Sequence, residues 1–341
     1  RVYPDIKLIY WCGGNPFHHH QDLNALHEAW QKPDTIIVNE PWWTATAKRA
    51  DIVFPATTSY EREDLGKAIG GDHYIFHMPK LIEPVGDAKN DYFIFSELSK
   101  RLGSYQEFTE GKDDKEWVSH LYDEFKTFFK KSGIDCPGLD EVKERNWITI
   151  PVEGKKFAPK PFQDFRSDPV ANSLKTPSGL IEIFSEKIAS FGYSEFSGHP
   201  VWIEPDEWLG SKLTKQYPFH LVSPQPNDKL HSQLECAIAD MPNARPTPVL
   251  INLKDAEALK IENGEIIKIY NSRGSCLARS QLTDEILQGV ISLPTGAWFE
   301  VDEHGTEIQG NPNALTFDKG TSRLGQGPSA HTTLVNISKI E

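Results

Sequence analysis

Three short apolar runs alternate with helix-spaced segments over the first 55 residues, and this alternation limits the possible folds more than any other feature. Ile6–Trp11, Thr35–Val38 and Asp51–Phe54 are rich in β-branched and aromatic residues and read as buried strands. Leu23, Leu26 and Trp30 recur at helical spacing between the first two, and Trp43–Ala50 reads as a short helix before the third. Strands separated by helices imply βαβ units and a parallel sheet, whose ligands bind beyond the carboxyl ends of the strands. Gly13-Gly14-Asn15-Pro16 and the pair Asn39-Glu40 fall at two such ends. Glycines let a backbone approach a phosphate, and a carboxylate one strand over can accept from a ribose hydroxyl or a guanine N–H. The G-x-G-x-x-G fingerprint is absent. Two readings therefore stand: a nucleotide site, or a turn with a glycine pair beside a solvated acid.

The pattern changes twice further on. From about Gly103 to Gly210 it loosens to one amphipathic helix over Lys115–Lys131, a charged stretch with Pro151, Pro159, Pro161, Pro169 and Pro177, and one short strand near Leu180–Phe184. This reads as irregular connecting structure laid over another surface. After Pro218 short strands dominate: Phe219–Val222, Val249–Ile251, Ile266–Tyr270, Ser275–Leu282 and Val290–Leu293, with one helix over Asp255–Leu259. Asn271-Ser-Arg-Gly274 reads as a hairpin turn with glycine where a positive φ is wanted. A compact β-barrel of about 120 residues follows. The expected class is α/β plus β: a parallel α/β nucleotide-binding portion over 1–105, a connecting segment over 106–215 and a barrel domain over 216–341.

A chain of 341 residues suits two domains or three pieces at roughly 150 residues each. Its 36 basic and 49 acidic residues leave a net charge of −13, which repels a long polyanion and argues against nucleic acid as a partner. Small anions stay compatible, because a local pocket can oppose the global sign. No apolar run approaches the ~18 residues of a membrane helix, and no basic-then-apolar leader opens the sequence, so no membrane insertion is expected. Cys12, Cys136, Cys236 and Cys276 are far apart without a CxxC pair, which disfavours an iron–sulfur cluster or a Cys-rich zinc site.

Groups that bind outnumber groups that react. In the run His18-His19-His20, neighbouring side chains point in different directions, so convergence on one metal ion is the weaker reading, and an anion contact or a solvated loop the stronger. Ser223–Gln233 is a stiff, polar loop directly after a strand, suited to a polar heterocycle. The Gly- and amide-rich tail Asn311–His331 fits a second loop on a ligand, or a plain irregular terminus. Cys12 reads as a buried small hydrophobe rather than a nucleophile. Arg62 offers positive charge to a phosphate or a surface ion pair. Glu235 and Asp240 have no evident partner, and no serine sits in a nucleophile elbow. No reactive centre emerges.

Tyr10–Asn24, Trp43–Ala47, Ala50–Arg62, Ser223–Gln233, Arg273-Gly274, Gly289–Trp298 and Asn311–His331 together resemble the dimethyl sulfoxide reductase family of molybdenum enzymes, within it the branch of trimethylamine N-oxide, biotin sulfoxide and dimethyl sulfoxide reductases. The match runs in order over most of the chain, loosely from Gly103 to Gly210, and corresponds to the carboxyl-terminal half of such enzymes. The resemblance implies molybdenum held by two molybdopterin guanine dinucleotides, with a terminal barrel of the double-psi type closing over the cofactor. No position corresponds to the metal's serine ligand, which the family carries in its amino-terminal half. The abrupt start at Arg1 then fits a fragment, a processed chain or a separately encoded piece.

Carried over by position, Asn15 and His19 contact phosphates or pterin, and Asn39 and Glu40 take ribose or guanine. Arg62 and Asp91 complete that nucleotide pocket. Ser223, Gln225, His231 and Ser232 address pterin from the barrel, with Asn313, Gln326 and His331 from the tail. Gln225 and His331 stand where relatives carry other polar residues, and Cys12 where a smaller residue is expected. The resemblance further implies reduction of a small N-oxide or S-oxide by oxygen-atom transfer, trimethylamine N-oxide first, in anaerobic respiration. A cytochrome is the implied donor, the missing amino-terminal half the implied partner, and the periplasm, or else the cytoplasm, the implied location. The alternatives are a biotin, methionine or dimethyl sulfoxide reductase, or a non-catalytic nucleotide-binding module.

Overall fold

In the computed structural model, the described residues are 3–67, 73–131, 133–150, 161–238, 241 and 244–340. Arg1, Pro151, Pro159 and Asp240 lie outside them. The chain divides into two compact units, one built from residues 1–38, 42–53 and 186–341, the other from 39–41 and 54–185.

A sheet follows the order β1 (Leu8–Cys12), β2 (Thr35–Glu40), β3 (Ile52–Pro55); the last two residues of β2 and of β3 are counted with the second unit, the rest with the first. As the alternation predicts, a helix (Leu23–Trp30) links the first two, started by the Asp22 side chain accepting from the Ala25 N–H at 3.2 Å. The link from β2 to β3 is a single 3-10 turn, Ala47–Arg49, shorter than the expected helix. At the end of β1, Gly13 and Gly14 take φ of +78° and +79°. Cys12 is exposed there, a correction to its reading as a buried hydrophobe: at the strand's end it has left the packed face.

The second unit holds the antiparallel sheet β4 (Asp64–Lys67), β5 (Tyr74–Met78), β6 (Trp147–Thr149). A helix over Asp114–Lys131 turns Val118, Tyr122 and Phe129 inward at helical spacing. They close a core with Ile75, Cys136, Val142, Ile148 and Ile150. Residues 106–150, read as irregular connection, thus contribute a core of their own. It escapes a sequence reading because its strands are three to five residues long and lie about 70 positions apart. Around Leu180–Phe184 no strand forms. Ile181 and Ile183 are 71% and 83% exposed, and the polar groups there bond locally, as Thr176 Oγ1 does to the Leu180 carbonyl.

The later part of the first unit is a closed six-stranded barrel of β7 (Phe219–Val222), β8 (Pro248–Asn252), β9 (Ile266–Tyr270), β10 (Ser275–Thr283), β11 (Val290–Ser292) and β12 (Thr333–Lys339). Neighbours run in the order β10-β8-β11-β7-β12-β9. The pairs β10/β8 and β11/β7 are parallel and the other four antiparallel. Val249, Ile251, Ile267, Ile269, Cys276 and Ala278 alternate inward along their strands. β12 closes the ring and was not expected. Its role depends on pairing with β7 and β9, strands more than 60 residues away. The Asn271–Gly274 turn joins β9 to β10 as expected, for a different reason: Gly274 is not among the positive-φ glycines, and a Cβ there would run into the Asn24 amide and come within 3.1 Å of the Ala314 carbonyl. Close approach, not φ, requires this glycine.

Candidate functional site

Within the first unit, the β1 turn, the loop after β7 and the chain's tail meet around one residue, His18. Pro16 opens the short helix Pro16–His19, which buries Phe17 and His18 together. His18 is 2% exposed, yet neither ring nitrogen has a hydrogen-bond partner among the described residues. Burial first, then the neighbouring His19, His231 and Lys229, push its pKa down to about 3, so the ring is neutral. His19 is exposed, its pKa lowered by partial desolvation and then by His20, while His20 Nδ1 lies 2.7 Å from the Gln21 carbonyl. The His18 and His19 rings lie 5.9 Å apart, inclined at 63°. Among the described residues no three His, Cys, Asp or Glu side chains converge on a possible metal position.

Asn15 Oδ1 accepts from Thr46 Oγ1 at 2.5 Å, while its buried Nδ2 has no partner among the described residues. From the tail, Asn313 Nδ2 donates to the His18 carbonyl at 3.0 Å and Asn311 Nδ2 at 3.3 Å. Glu307, fully buried, accepts from the N–H groups of Glu300, Gln309, Gly310 and Asn311 and so shapes the tail's first turn. From the loop, the His231 ring lies 6.5 Å from that of His18. Gln225 Nε2 donates to His231 Nδ1 at 3.0 Å, and its carbonyl accepts from Thr295 Oγ1 at 3.1 Å. The Ser223 N–H points at His331 Nδ1, 3.4 Å away, while the buried Ser223 Oγ is a further polar atom with no partner among the described residues. The Ser232 carbonyl accepts from Trp298 Nε1.

Of the site residues expected from the sequence, Gln225 is hydrogen-bonded to His231, His231 lies beside His18, Asn313 holds the His18 carbonyl, and Ser223 meets His331. Gln326 makes none of these contacts. Its amide donates to the Ser322 carbonyl at 2.9 Å, and it lines a hollow of about 640 Å3 with Glu195, Phe317, Lys319 and Arg323.

In the second unit, Asn39 Nδ2 donates to Asp91 Oδ1 at 2.9 Å. Asp91 opens the helix Asp91–Leu102, capped by the Asn90 side chain accepting from the Phe93 N–H at 2.7 Å. The Glu40 carbonyl accepts from the Ala56 N–H at 3.4 Å. Arg62 donates to the Thr57 carbonyl at 3.2 Å and to Asp64 at 3.3 Å. It lines a hollow of about 500 Å3 whose wall mixes cations (Lys80, Lys89, Lys115) with acids (Glu61, Glu63, Asp114).

Sequence reasoning missed three supports of the site. His18, not only His19, faces it. Glu235, expected to lack a partner, is a buried acid paired with Lys229 at 2.5 Å and with Arg245. Glu307 carries no local signal, since its four donors become visible only in the fold.

A family model for molybdopterin oxidoreductase matches residues 2–101, and one for a molybdopterin dinucleotide-binding domain matches residues 219–334. A biotin sulfoxide reductase of Cereibacter sphaeroides is 46% identical over 99% of this chain and 45% of its own length. A trimethylamine-N-oxide reductase of Haemophilus influenzae is 43% identical over 99% of this chain and 42% of its own length. This chain thus spans less than half the length of these curated relatives. Among solved structures, acetylene hydratase from Pelobacter acetylenicus superposes with a TM-score of 0.73 at 21% identity, over 98% of this chain and 44% of that one, a likeness of fold.

Proposed function

The chain belongs to the molybdopterin oxidoreductase family, and from that premise we propose that it supplies the cofactor-binding carboxyl-terminal portion of an enzyme that reduces N-oxides or S-oxides. The family's cofactor is molybdenum held by two molybdopterin guanine dinucleotides. Bound, it would supply two-electron oxygen-atom-transfer chemistry.

One observation carries the reading. Asn15 Nδ2, both His18 ring nitrogens and Ser223 Oγ, on the β1 turn and at the start of the loop after β7, are buried polar atoms without partners among the described residues. Leaving a buried polar group unpaired costs about 1–3 kcal/mol, so each calls for a ligand, ion or water to satisfy it. Their chemistry fits a pterin edge and a phosphate: amide and hydroxyl donors, and a neutral imidazole able to donate from one nitrogen and accept at the other. In the second unit, Asn39, Glu40, Arg62 and Asp91 offer the groups a ribose, a guanine edge and a phosphate need. The proposal extends to a double-psi form for the barrel, a periplasmic location and a cytochrome donor, all taken from the family resemblance. Among the described residues no helix is long and apolar enough to cross a membrane.

Trimethylamine N-oxide is the first proposed substrate class. A biotin sulfoxide is the second, favoured by the 46% identity to a biotin sulfoxide reductase. The test is molybdenum content and acid-released guanine nucleotide on natively purified protein, with intact mass. Two guanine nucleotides per metal support the reading; protein purified from a molybdate-replete host with neither overturns it.

A further inference from the structure

Lys229 and Glu235 flank His231 in sequence and meet in the interior. Their side chains are 3% and 2% exposed and lie 2.5 Å apart. The Arg245 guanidinium, 12% exposed, closes on the other oxygen of the same carboxylate. Arg245 is fixed in turn by the Ala244 carbonyl at 2.8 Å and Thr247 Oγ1 at 3.1 Å, immediately before β8. The loop is thus pinned at two of its residues to the base of a barrel strand.

Between those pins the backbone is strained. His231 has φ of +51° and Leu234 of +66°, and neither is a glycine. Non-glycine residues persist in the left-handed region only where the surroundings over-determine them, at about 1–3 kcal/mol each. Packing does not provide the clamp here, since both residues are exposed. The aliphatic stem of Lys229 passes where a Cβ would stand at Gly296, itself at φ +119°. Thr295 and Trp298, on either side of that glycine, donate to Gln225 and to the Ser232 carbonyl. Lys229 therefore joins the strained loop to the segment it hydrogen-bonds.

We propose that the buried ion triad Lys229–Glu235–Arg245 is a positioning device that holds His231, hydrogen-bonded to Gln225, in its strained conformation beside His18, in readiness for the dinucleotide. The link to the dinucleotide rests on the function proposed above; the mechanical role does not. Breaking a buried pair by removing one member leaves a buried charge uncompensated, the more costly direction.

The test uses amide hydrogen exchange across residues 223–238 in cofactor-free chain, together with guanine nucleotide carried by chain made in a host that synthesises the dinucleotide. Lys229→Met is compared with Lys229→Arg, which keeps the charge, and with Glu235→Gln. Exchange in the loop rises at least about tenfold in Lys229→Met and Glu235→Gln, with β8–β12 unchanged, and Lys229→Arg restores protection. Bound guanine nucleotide falls in the same order. Loop exchange equal to that of the unsubstituted chain, or loosened equally across the barrel, overturns the proposal. A loop that loosens as expected in a chain that never carries guanine nucleotide upholds the positioning role and removes the proposed ligand instead.

Discussion

Asn313 Nδ2 donates to the backbone carbonyl of His18 at 3.0 Å, joining two residues 295 positions apart. The same tail residue accepts from Thr316 Oγ1 at 2.8 Å, so one buried amide fixes the tail both to itself and to the β1 turn. Replacing Asn313 by Leu leaves that carbonyl with only the longer Asn311 bond at 3.3 Å. The expected loss is about 1–3 kcal/mol of stability, read as a drop in denaturant midpoint at constant m-value. An unchanged midpoint removes Asn313 from the set of supports.

The orphaned polar atoms give a test with two opposite signs. Ser223→Ala removes an unpartnered buried hydroxyl, so the cofactor-free chain becomes no less stable, gaining up to about 1 kcal/mol. The same substitution lowers guanine nucleotide occupancy. A substitution that destabilises the free chain while leaving occupancy alone shows Ser223 to be ordinary packing.

Two buried groups set opposing pH dependences. Burial holds the Glu307 carboxyl at about 7 against its backbone donors, so from about 4.5 to 7 the folded chain keeps a proton the unfolded chain has released. Stability from this group falls as pH rises through that window. Burial holds His18 at about 3, so from about 3 to 6.5 the unfolded chain binds a proton that the folded chain refuses, and stability rises with pH. The slopes cancel where the windows overlap. Glu307→Gln exposes the rising limb, up to about 1.4 kcal/mol per pH unit between 4.5 and 6.5, and His18→Phe exposes the falling one. Parallel pH profiles for the two variants contradict both assignments.

Arg273 closes a second buried pair, donating to both oxygens of Glu207 at 2.5 and 3.0 Å while Glu207 also accepts from the Leu334 N–H at 2.7 Å. This ties the turn between β9 and β10 to the segment before β7 and to β12. Glu207→Leu strips the carboxylate from a largely buried guanidinium that keeps the Leu315 carbonyl and the Phe317 ring face, and costs about 1–3 kcal/mol. The double variant with Arg273→Leu recovers part of that loss. Strict additivity in thermal unfolding would falsify the coupling.

Gly274 gives the sharpest steric test. Gly274→Ala drives a methyl into the Asn24 amide, which donates to the Arg273 and Ala314 carbonyls at 3.1 and 3.3 Å. A loss of about 1–3 kcal/mol is expected from the displaced amide and crowded backbone. Asn24→Ala in the same chain relieves the clash and returns some stability, which a φ requirement at residue 274 could not explain.

By itself the sequence determined what depends on neighbours a few residues apart. The periods of the β1, β2 and β3 runs, the inward alternation of β8 to β10 and the helix over Asp114–Lys131 are all local patterns of apolar spacing. The polar loop after β7 and the Gly-Gly-Asn-Pro turn after β1 were legible as loops at strand ends because composition and turn chemistry act over the same short range. Tertiary structure alone decided what depends on pairing across the chain. β12 completes a barrel only beside β7 and β9, and Leu180–Phe184, despite good strand composition, pairs with no strand among the described residues. Glu235 and Glu307 look like surface acids in sequence and become buried anchors once distant donors surround them. His18 becomes the centre of the site because two asparagines some 295 residues away hold its carbonyl. Local propensity is written in consecutive residues, whereas burial and charge pairing are properties of which distant surfaces the fold brings together.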